Sequence, residues 1–438
     1  MKEPRIFIGP MSKNIVDTII MYCEDENETI GIIPSRRQVE SDGGYVNNWT
    51  TEEFSNYIKN KTSNLLLVRD HCGPSQGYTE DDGIESFKED CKHFDVVHID
   101  VWKKYQDYEE GLKATIDFIS LGYELNPNLY FEVGTEESIR PFTPEELDSL
   151  LTDLESNLSN DVYSRVKYAV IQSGTALQGN VNIGKYDNSR LLEMIEVVTK
   201  HGLISKEHNG DYLHKDLLYD KFRCGLDSIN IAPEFGQIET KVILGYMHNN
   251  NPELIEEFYD LCYKSKRWEK WVPNGFVPED NKLEIINICG HYVFSNPKFL
   301  ELKGKLSGDV DREITSALYG RIESLFNNSK LNHRDLLYKY FYHFSNKDIV
   351  GLSDMFSDDI TLTDWDINVS GKEEVLKANL NIFSSVESIN VMVKKIYRNN
   401  DSYAVEIDII IDESTRLEVV DIIKFDFRKI KSIKAYKG

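Results

Sequence analysis

The chain has no CxxC pair, no GxGxxG turn, no apolar run as long as a bilayer is thick and no surplus of basic charge. Each absence removes a class of function. Its six cysteines (Cys23, Cys72, Cys91, Cys224, Cys262, Cys289) are scattered along 438 residues. That spacing signals neither a zinc knuckle, an iron–sulfur cluster nor a disulfide framework, and predicts reduced, mostly buried thiols. No stretch approaches the roughly 20 apolar residues that span a bilayer, and the opening MKEPRIFIGPMSKN has no signal-peptide core. A cytoplasmic protein without membrane contact is expected. With 50 basic against 74 acidic residues the formal charge is −24. Such a field repels phosphate backbones and anionic lipid, so nucleic acid is not an expected partner.

What remains is ordinary globular chemistry, 40% hydrophobic and 28% charged, in a chain too long for one core of usual size. Short runs rich in Ile, Val and Leu alternate with longer amphipathic stretches, the pattern of parallel strands returning through helices. Eight strands are predicted: Arg5–Gly9, Thr29–Pro34, Leu65–Arg69, Val96–Ile99, Leu129–Val133, Tyr168–Gln172, Leu203–Lys206 and Ser228–Ile231. Helix starts are marked by Thr50-Thr51-Glu52-Glu53 and by Thr143-Pro144-Glu145-Glu146. Eight such units without a dinucleotide-binding glycine turn predict an α/β fold of the (β/α)8 TIM-barrel type over residues 1–300, with an open doubly wound sheet as the alternative. A helix over Lys241 to Lys264, the aromatic stretch RWEKWVPNGFVPEDN and a helical extension from Pro297 to Asn328 follow, with the linker in NNSKLNH.

From residue 331 to 438 the pattern changes. The helical piece LLYKYFYHFSNKDI leads to MFSDDITLTDWD and GKEEVLKANLNIF, then to the alternating stretches VMVKKIY, SYAVEIDIII, RLEVVDIIKFDF and KIKSIKAY. This small α+β domain resembles the nuclear-transport-factor or SnoaL-like cone fold. Trp365, Asp364 and Asp366 could line a pocket in it. For an appended domain of this kind dimerisation is the expected role, giving a homo-oligomer.

In a (β/α)8 barrel the chemistry sits at the C-terminal ends of the strands. Here all eight ends are polar: Ser12 and Lys13; Ser35, Arg36, Arg37, Gln38 and Glu40; Arg69, Asp70 and His71; His98 and Asp100; Glu132, Thr135, Glu136 and Glu137; Gln172 and Ser173; Glu207 and His208; Glu234 and Gln237. Of ten histidines, His71, His98 and His208 fall at these ends, and three imidazoles plus water make a catalytic zinc site. Asp70, beside His71, is placed to remove a proton next to a polarised carbonyl, or else pairs with Arg36 or Arg37 as a structural ion pair. Glu132 and Glu207 are further candidate catalytic carboxylates. Lys13, Arg36 and Arg37 suit capture of an anionic group, unless the arginines balance Glu132, Glu136 and Glu207. Ser12, Gln38, Glu136, Gln172, Ser173 and Glu234 complete the candidate substrate contacts.

The stretch SRRQVESDGGYVNNWTTEEF followed by LLLVRDHCGPSQG resembles the tagatose-bisphosphate aldolase Z-subunit family. The matching positions are Gln38, Gly43, Gly44, Tyr45, Thr50, Phe54, Asp70, His71, Gly73 and Pro74, joined by HID at His98 and GTE from Gly134 to Glu136. The chain departs from the pattern around Arg69, Cys72 and Ser75 and in its C-terminal domain. The resemblance implies a class II aldolase barrel acting on a sugar phosphate or related ketose, where related enzymes use zinc and an aspartate base. The expected activity is therefore a lyase using Zn2+ or another divalent metal through an enolate. Two alternatives stand beside it: a metal-dependent sugar epimerase or isomerase, and a non-catalytic subunit stabilising a partner aldolase.

Overall fold

A computed structural model describes residues 3–306, 308–329, 333–399, 402–412, 414–426 and 429–438. The chain divides into two compact units, Met1–Ser329 and Lys330–Gly438. Residues 330–332 of the expected linker, and Phe427 at the end of RLEVVDIIKFDF, lie outside the described residues.

In the first unit eight strands close into a parallel barrel: β1 Ile6–Ile8, β2 Ile30–Ile32, β3 Leu65–Cys72, β4 Val96–Ile99, β5 Tyr130–Val133, β6 Val166–Ile171, β7 Ile204–Glu207 and β8 Ser228–Ile231. Each pairs with its sequence neighbours, and β1 pairs with β8. The open-sheet alternative is thereby set aside. Strands buried on both faces need apolar residues on both, which is why they read as unbroken Ile and Val runs rather than alternation. Phe7, Leu66, Val68, Val96 and Tyr168 fill the barrel interior, while Ile6, Ile8, Leu67, Val97 and Ile99 face the helices. Gly31 has no room for a side chain, because a Cβ there would meet the Phe7 ring.

The helix starts follow the sequence signals. Thr50 and Glu53 form a reciprocal capping box ahead of Thr51–Lys59, and Thr143 caps Pro144–Asn157 with proline in its first turn. The helix expected over Lys241 to Lys264 is two, Pro233–Asn250 and Glu253–Ser265, because Pro252 has no amide hydrogen to carry the ladder onward. The RWEKW stretch contains a single 3₁₀ turn, Glu269–Trp271. No helix among the described residues is long and apolar enough to cross a membrane, and all six cysteines are free.

The second unit packs helices His333–Ser345, Ile349–Met355 and Lys372–Ser384 with six strands: β9 Phe356–Thr363, β10 Asn368–Ser370, β11 Ile389–Asn399, β12 Ser402–Ile411, β13 Thr415–Asp426 and β14 Lys429–Lys437. Their order is β10-β9-β14-β13-β12-β11, antiparallel except for β9 with β14. Register shifts in β9/β14, β11/β12 and β13/β14 bend the sheet. Along β13 the inward side reads Leu417, Val419, Asp421, Ile423, Phe425, a row that is apolar but for one carboxyl.

Candidate metal centre

Strand β3 carries the decisive irregularity. Alternation would send Asp70 and His71 to opposite faces. The pairing with β4 slips between Arg69 and Cys72, and His71 adopts φ +47°. This bulge, a conformation that costs a side chain energy, turns both groups to the barrel mouth. There Asp70 Oδ1 lies 3.6 Å from His71 Nε2, 3.6 Å from His98 Nδ1 and 3.7 Å from His208 Nδ1. The three imidazole centroids are 4.9–5.5 Å apart. Asp70, His71, His98 and His208 offer ligand atoms all within 4.8 Å of one another.

The far nitrogen of each ring is already committed. His71 Nδ1 bonds Asp100 Oδ2 at 2.6 Å, His98 Nε2 donates to the Gly134 carbonyl at 3.1 Å, and His208 Nε2 bonds Glu132 Oε1 at 2.8 Å. An imidazole that donates from one nitrogen presents a lone pair on the other, so the three remaining nitrogens lie toward the Asp70 oxygen, His98 Nδ1 also accepting the His71 amide at 3.4 Å. That oxygen is buried and has no hydrogen-bond partner. Four acceptors thus meet around one point. Zinc bonds of about 2.0–2.2 Å at tetrahedral angles set neighbouring ligand atoms about 3.3–3.6 Å apart, close to the 3.6–3.7 Å between Asp70 Oδ1 and the three nitrogens. The donor set fits a divalent ion.

The same centre attracts positive charge of either kind, a proton on an imidazole or a metal ion in its place. Burial alone would raise the Asp70 carboxyl, but His71, His98 and His208 outweigh it and hold it well below the usual range. His71, against the pull of burial, is raised to about 10 by Asp70, Asp100 and Glu136. His98 also moves up, chiefly through Glu132 and Asp70 acting against burial. Four carboxylates around three imidazoles make the centre of the cluster a place that favours positive charge.

The other expected residues divide by the face their strand presents. Glu132 points inward, where it pairs with buried Lys206 at 2.6 Å and orients His208. Glu136 lines the mouth, 4.0 Å from His71 Nε2, accepting from Asn209 and Ser138. Arg37 and Gln38 also line it, Gln38 bonding the Pro10 carbonyl and the Ser35 amide.

The structure does not bring the rest to the cluster. Glu207 follows inward-facing Lys206, so it points to the helix layer and bonds Ser173 and Lys221, both buried. Arg36 is locked by Glu40 and Asp81, not by Asp70. Lys13 pairs with Asp17 on the surface of its helix. Ser12 caps that helix and bonds Glu239. All four polar contacts of Gln172 go to loop backbone and Arg190. Glu234 pairs with Arg321.

Sequence reasoning found one cation of the mouth, Arg37, and passed over four others. A cavity of about 510 Å³ opens above Asp70 and His71, lined also by Lys103, Lys266, Arg267 and Lys270. None of these four, nor Arg37, forms an ion pair among the described residues. Arg37 bonds the Gly77 carbonyl, Lys103 the Ser75 carbonyl, and Arg267 lies 4.1 Å over the Tyr78 ring. Although Lys270 is an exposed residue, desolvation within the mouth, reinforced by Arg37 and Arg267, lowers it to about 8. The available signal was RWEKW itself, a basic and aromatic cluster in an acidic chain.

No protein-family model and no curated protein matches the chain. Among solved structures it is similar to a probable tagatose 6-phosphate kinase from Sinorhizobium meliloti 1021, at TM-score 0.57 and 15% identity over 87% of this chain and 98% of that one. The YdjI aldolase from Escherichia coli K12 aligns at TM-score 0.46 and 11% identity over 74% of this chain and 91% of its own. An NTF2-like protein of unknown function from Cytophaga hutchinsonii aligns at TM-score 0.22 and 12% identity over 25% and 92%. At such identities only the first likeness has weight, and it is one of fold. The chain is a (β/α)8-barrel protein with a separate C-terminal α+β unit.

Proposed function

We propose that the barrel is a cytoplasmic, metal-dependent lyase of the class II aldolase kind, acting on a sugar phosphate or related ketose. The observation that carries this reading is the convergence of three oriented imidazole lone pairs on the Asp70 oxygen, beneath a mouth lined by unpaired cations. His71, through Nε2, and His98 and His208, through Nδ1, would hold the ion. A divalent metal bound there supplies a Lewis acid that polarises the substrate carbonyl. Asp70 takes the proton from the carbon beside that carbonyl, leaving an enolate to attack an aldehyde, and returns it in the cleavage direction. Glu132 and Asp100 fix the tautomers of His208 and His71. Arg37, Arg267 and Lys270 hold the anionic end of the substrate, displacing the Arg36 and Lys13 roles expected from sequence. A barrel that only stabilised a partner would have no use for an oriented ligand set, so the enzyme is favoured over the non-catalytic subunit. The bent six-stranded sheet covered by helices supports reading the C-terminal unit as a SnoaL-like cone fold.

The test is metal content of the chain purified without added metal, by plasma mass spectrometry, beside a screen of ketose phosphates for cleavage. About one ion per chain is expected, with Asp70→Asn keeping the ion and losing turnover. Full metal in a His208→Ala variant would remove the ligand assignment. Loss of the ion in Asp70→Asn would move Asp70 from base to ligand.

A further inference from the structure

The C-terminal unit contains a cavity of about 360 Å³ between its sheet and helices, within the size range of small-molecule sites. Its wall is hydrocarbon and aromatic: Phe344, Leu362, Ile382, Ile409, Leu417 and Ile433 are representative, with Tyr340 and Trp365 adding ring faces. Its charged groups are of one sign. Asp364, Asp366 and Asp421 line it, and no Lys, Arg or His among the described residues does. Lys437 stands 5.8 Å over the Trp365 ring, outside the lining.

Asp421 is the group that needs explaining. It is 6% exposed and occupies an inward position of β13 that the pattern reserves for apolar residues, between Val419 and Ile423. No side chain or amide among the described residues donates to its carboxyl. Asp364, by contrast, accepts the amides of Asp366 and Ile367 in a turn that accounts for its presence. The one buried amide in the lining, Asn379, spends its Nδ2 on the Val375 carbonyl. A buried carboxyl without a partner costs several kcal/mol in an apolar site and is kept where something outside the chain supplies the partner.

We propose that this cavity binds a small apolar molecule bearing a protonated amine, its ammonium paired with Asp421 and its hydrocarbon part enclosed by the isoleucine and leucine wall. The ammonium supplies the missing donors. The second carboxylate at Asp364 adds attraction, and the rings of Tyr340, Phe344 and Trp365 present faces that favour a cation. An anionic ligand would meet three carboxylates with nothing to offset them, and a neutral one would leave Asp421 unpaired. The site belongs to the C-terminal unit alone and stands whether or not the barrel is a lyase.

The test is calorimetric titration of the full chain with three probes of one shape: 2-phenylethylammonium, 2-phenylethanol and 3-phenylpropionate. The ammonium is expected to bind about ten-fold or more tightly than the alcohol, the carboxylate not at all, and Asp421→Asn to remove the preference for the ammonium while leaving the alcohol unchanged. Methyl chemical shifts of Ile409, Ile411 and Ile433 in the wild-type chain place the bound ammonium independently of any variant. No binding of the ammonium at about 10 mM, equal binding of the carboxylate, or shifts elsewhere only, would each overturn the proposal.

Discussion

The two cavities of this molecule treat buried charge in opposite ways. At the barrel mouth every imidazole has its second nitrogen tied, to Asp100, to a backbone carbonyl or to Glu132, and Glu132 is itself paired with Lys206. In the C-terminal unit Asp421 is buried, and no side chain or amide among the described residues donates to it. A network satisfied on its outer side and open on its inner side is preorganised. Its geometry exists before the ligand arrives, and the cost of holding it is met by the fold. A lone carboxyl in an apolar wall is instead compensated only when a ligand arrives. The first arrangement suits chemistry at fixed positions and the second suits recognition of one charge.

Removing the open side of the preorganised network should have the largest effect. His71→Ala and His208→Ala are expected to lose most of the bound metal and all measurable turnover. Glu132→Gln, which leaves the ligands and disturbs only their support, should weaken metal affinity by about 10- to 100-fold. If Glu132→Gln behaved like wild type in a metal-competition titration, the outer contacts would be packing and the contrast between the two cavities would lose its basis.

Glu207 sharpens the comparison from the helix side of the same strand. It is fully buried with Lys221 and Ser173, away from the cluster, so Glu207→Ala should leave metal content unchanged while costing about 3–5 kcal/mol of stability, the penalty for an orphaned buried cation. Denaturant unfolding with parallel metal analysis reads both. Metal loss at native stability would place Glu207 back in the chemistry.

The barrel was legible in the sequence because a parallel strand buried on both faces leaves a dense apolar signal, and because threonine caps announce the helices. The histidines were legible because three of the ten fall together at predicted strand ends. What escaped was facing. Glu207 and His208 are adjacent letters, yet one points to the helices and the other into the mouth, and one residue of strand phase decides it. Asp70 and His71 were both expected at the site, and a local bulge that overrides the alternation is what brings both there. Arg267 and Lys270 lie more than thirty residues beyond β8, where only tertiary structure could return them to the site. The carboxyl in β13 was visible as a break in an apolar row, but its isolation depends on what the neighbouring strands and helices fail to offer.

The mouth cations give a smaller effect. Arg267→Ala with Lys270→Ala should raise KM for a phosphorylated ketose by about 10- to 100-fold, from loss of charge-assisted bonds worth about 1.5–3 kcal/mol, and change kcat much less. A dephosphorylated ketose should show no such penalty. Equal losses on both substrates would mean that these cations shape the mouth rather than read the anion.

The last expected effect is one of stability and lies in the other cavity. Burial, with the Asp364 carboxylate adding to it, raises Asp421 to about 7 from the usual 3.8. As pH rises from about 4 to 7 the unfolded chain releases this proton while the folded unit keeps it, so the unfolded state is favoured progressively. The loss is complete above about pH 7 and amounts to about 4 kcal/mol at most. Asp421→Asn, which never ionises, should therefore match wild type near pH 4 and exceed it by up to that amount at pH 8, read as slower native-state hydrogen exchange of the β12 and β13 amides. An advantage that stayed flat across this range would mean that Asp421 ionises as freely folded as unfolded, and that the cavity already supplies the compensation assigned here to a ligand.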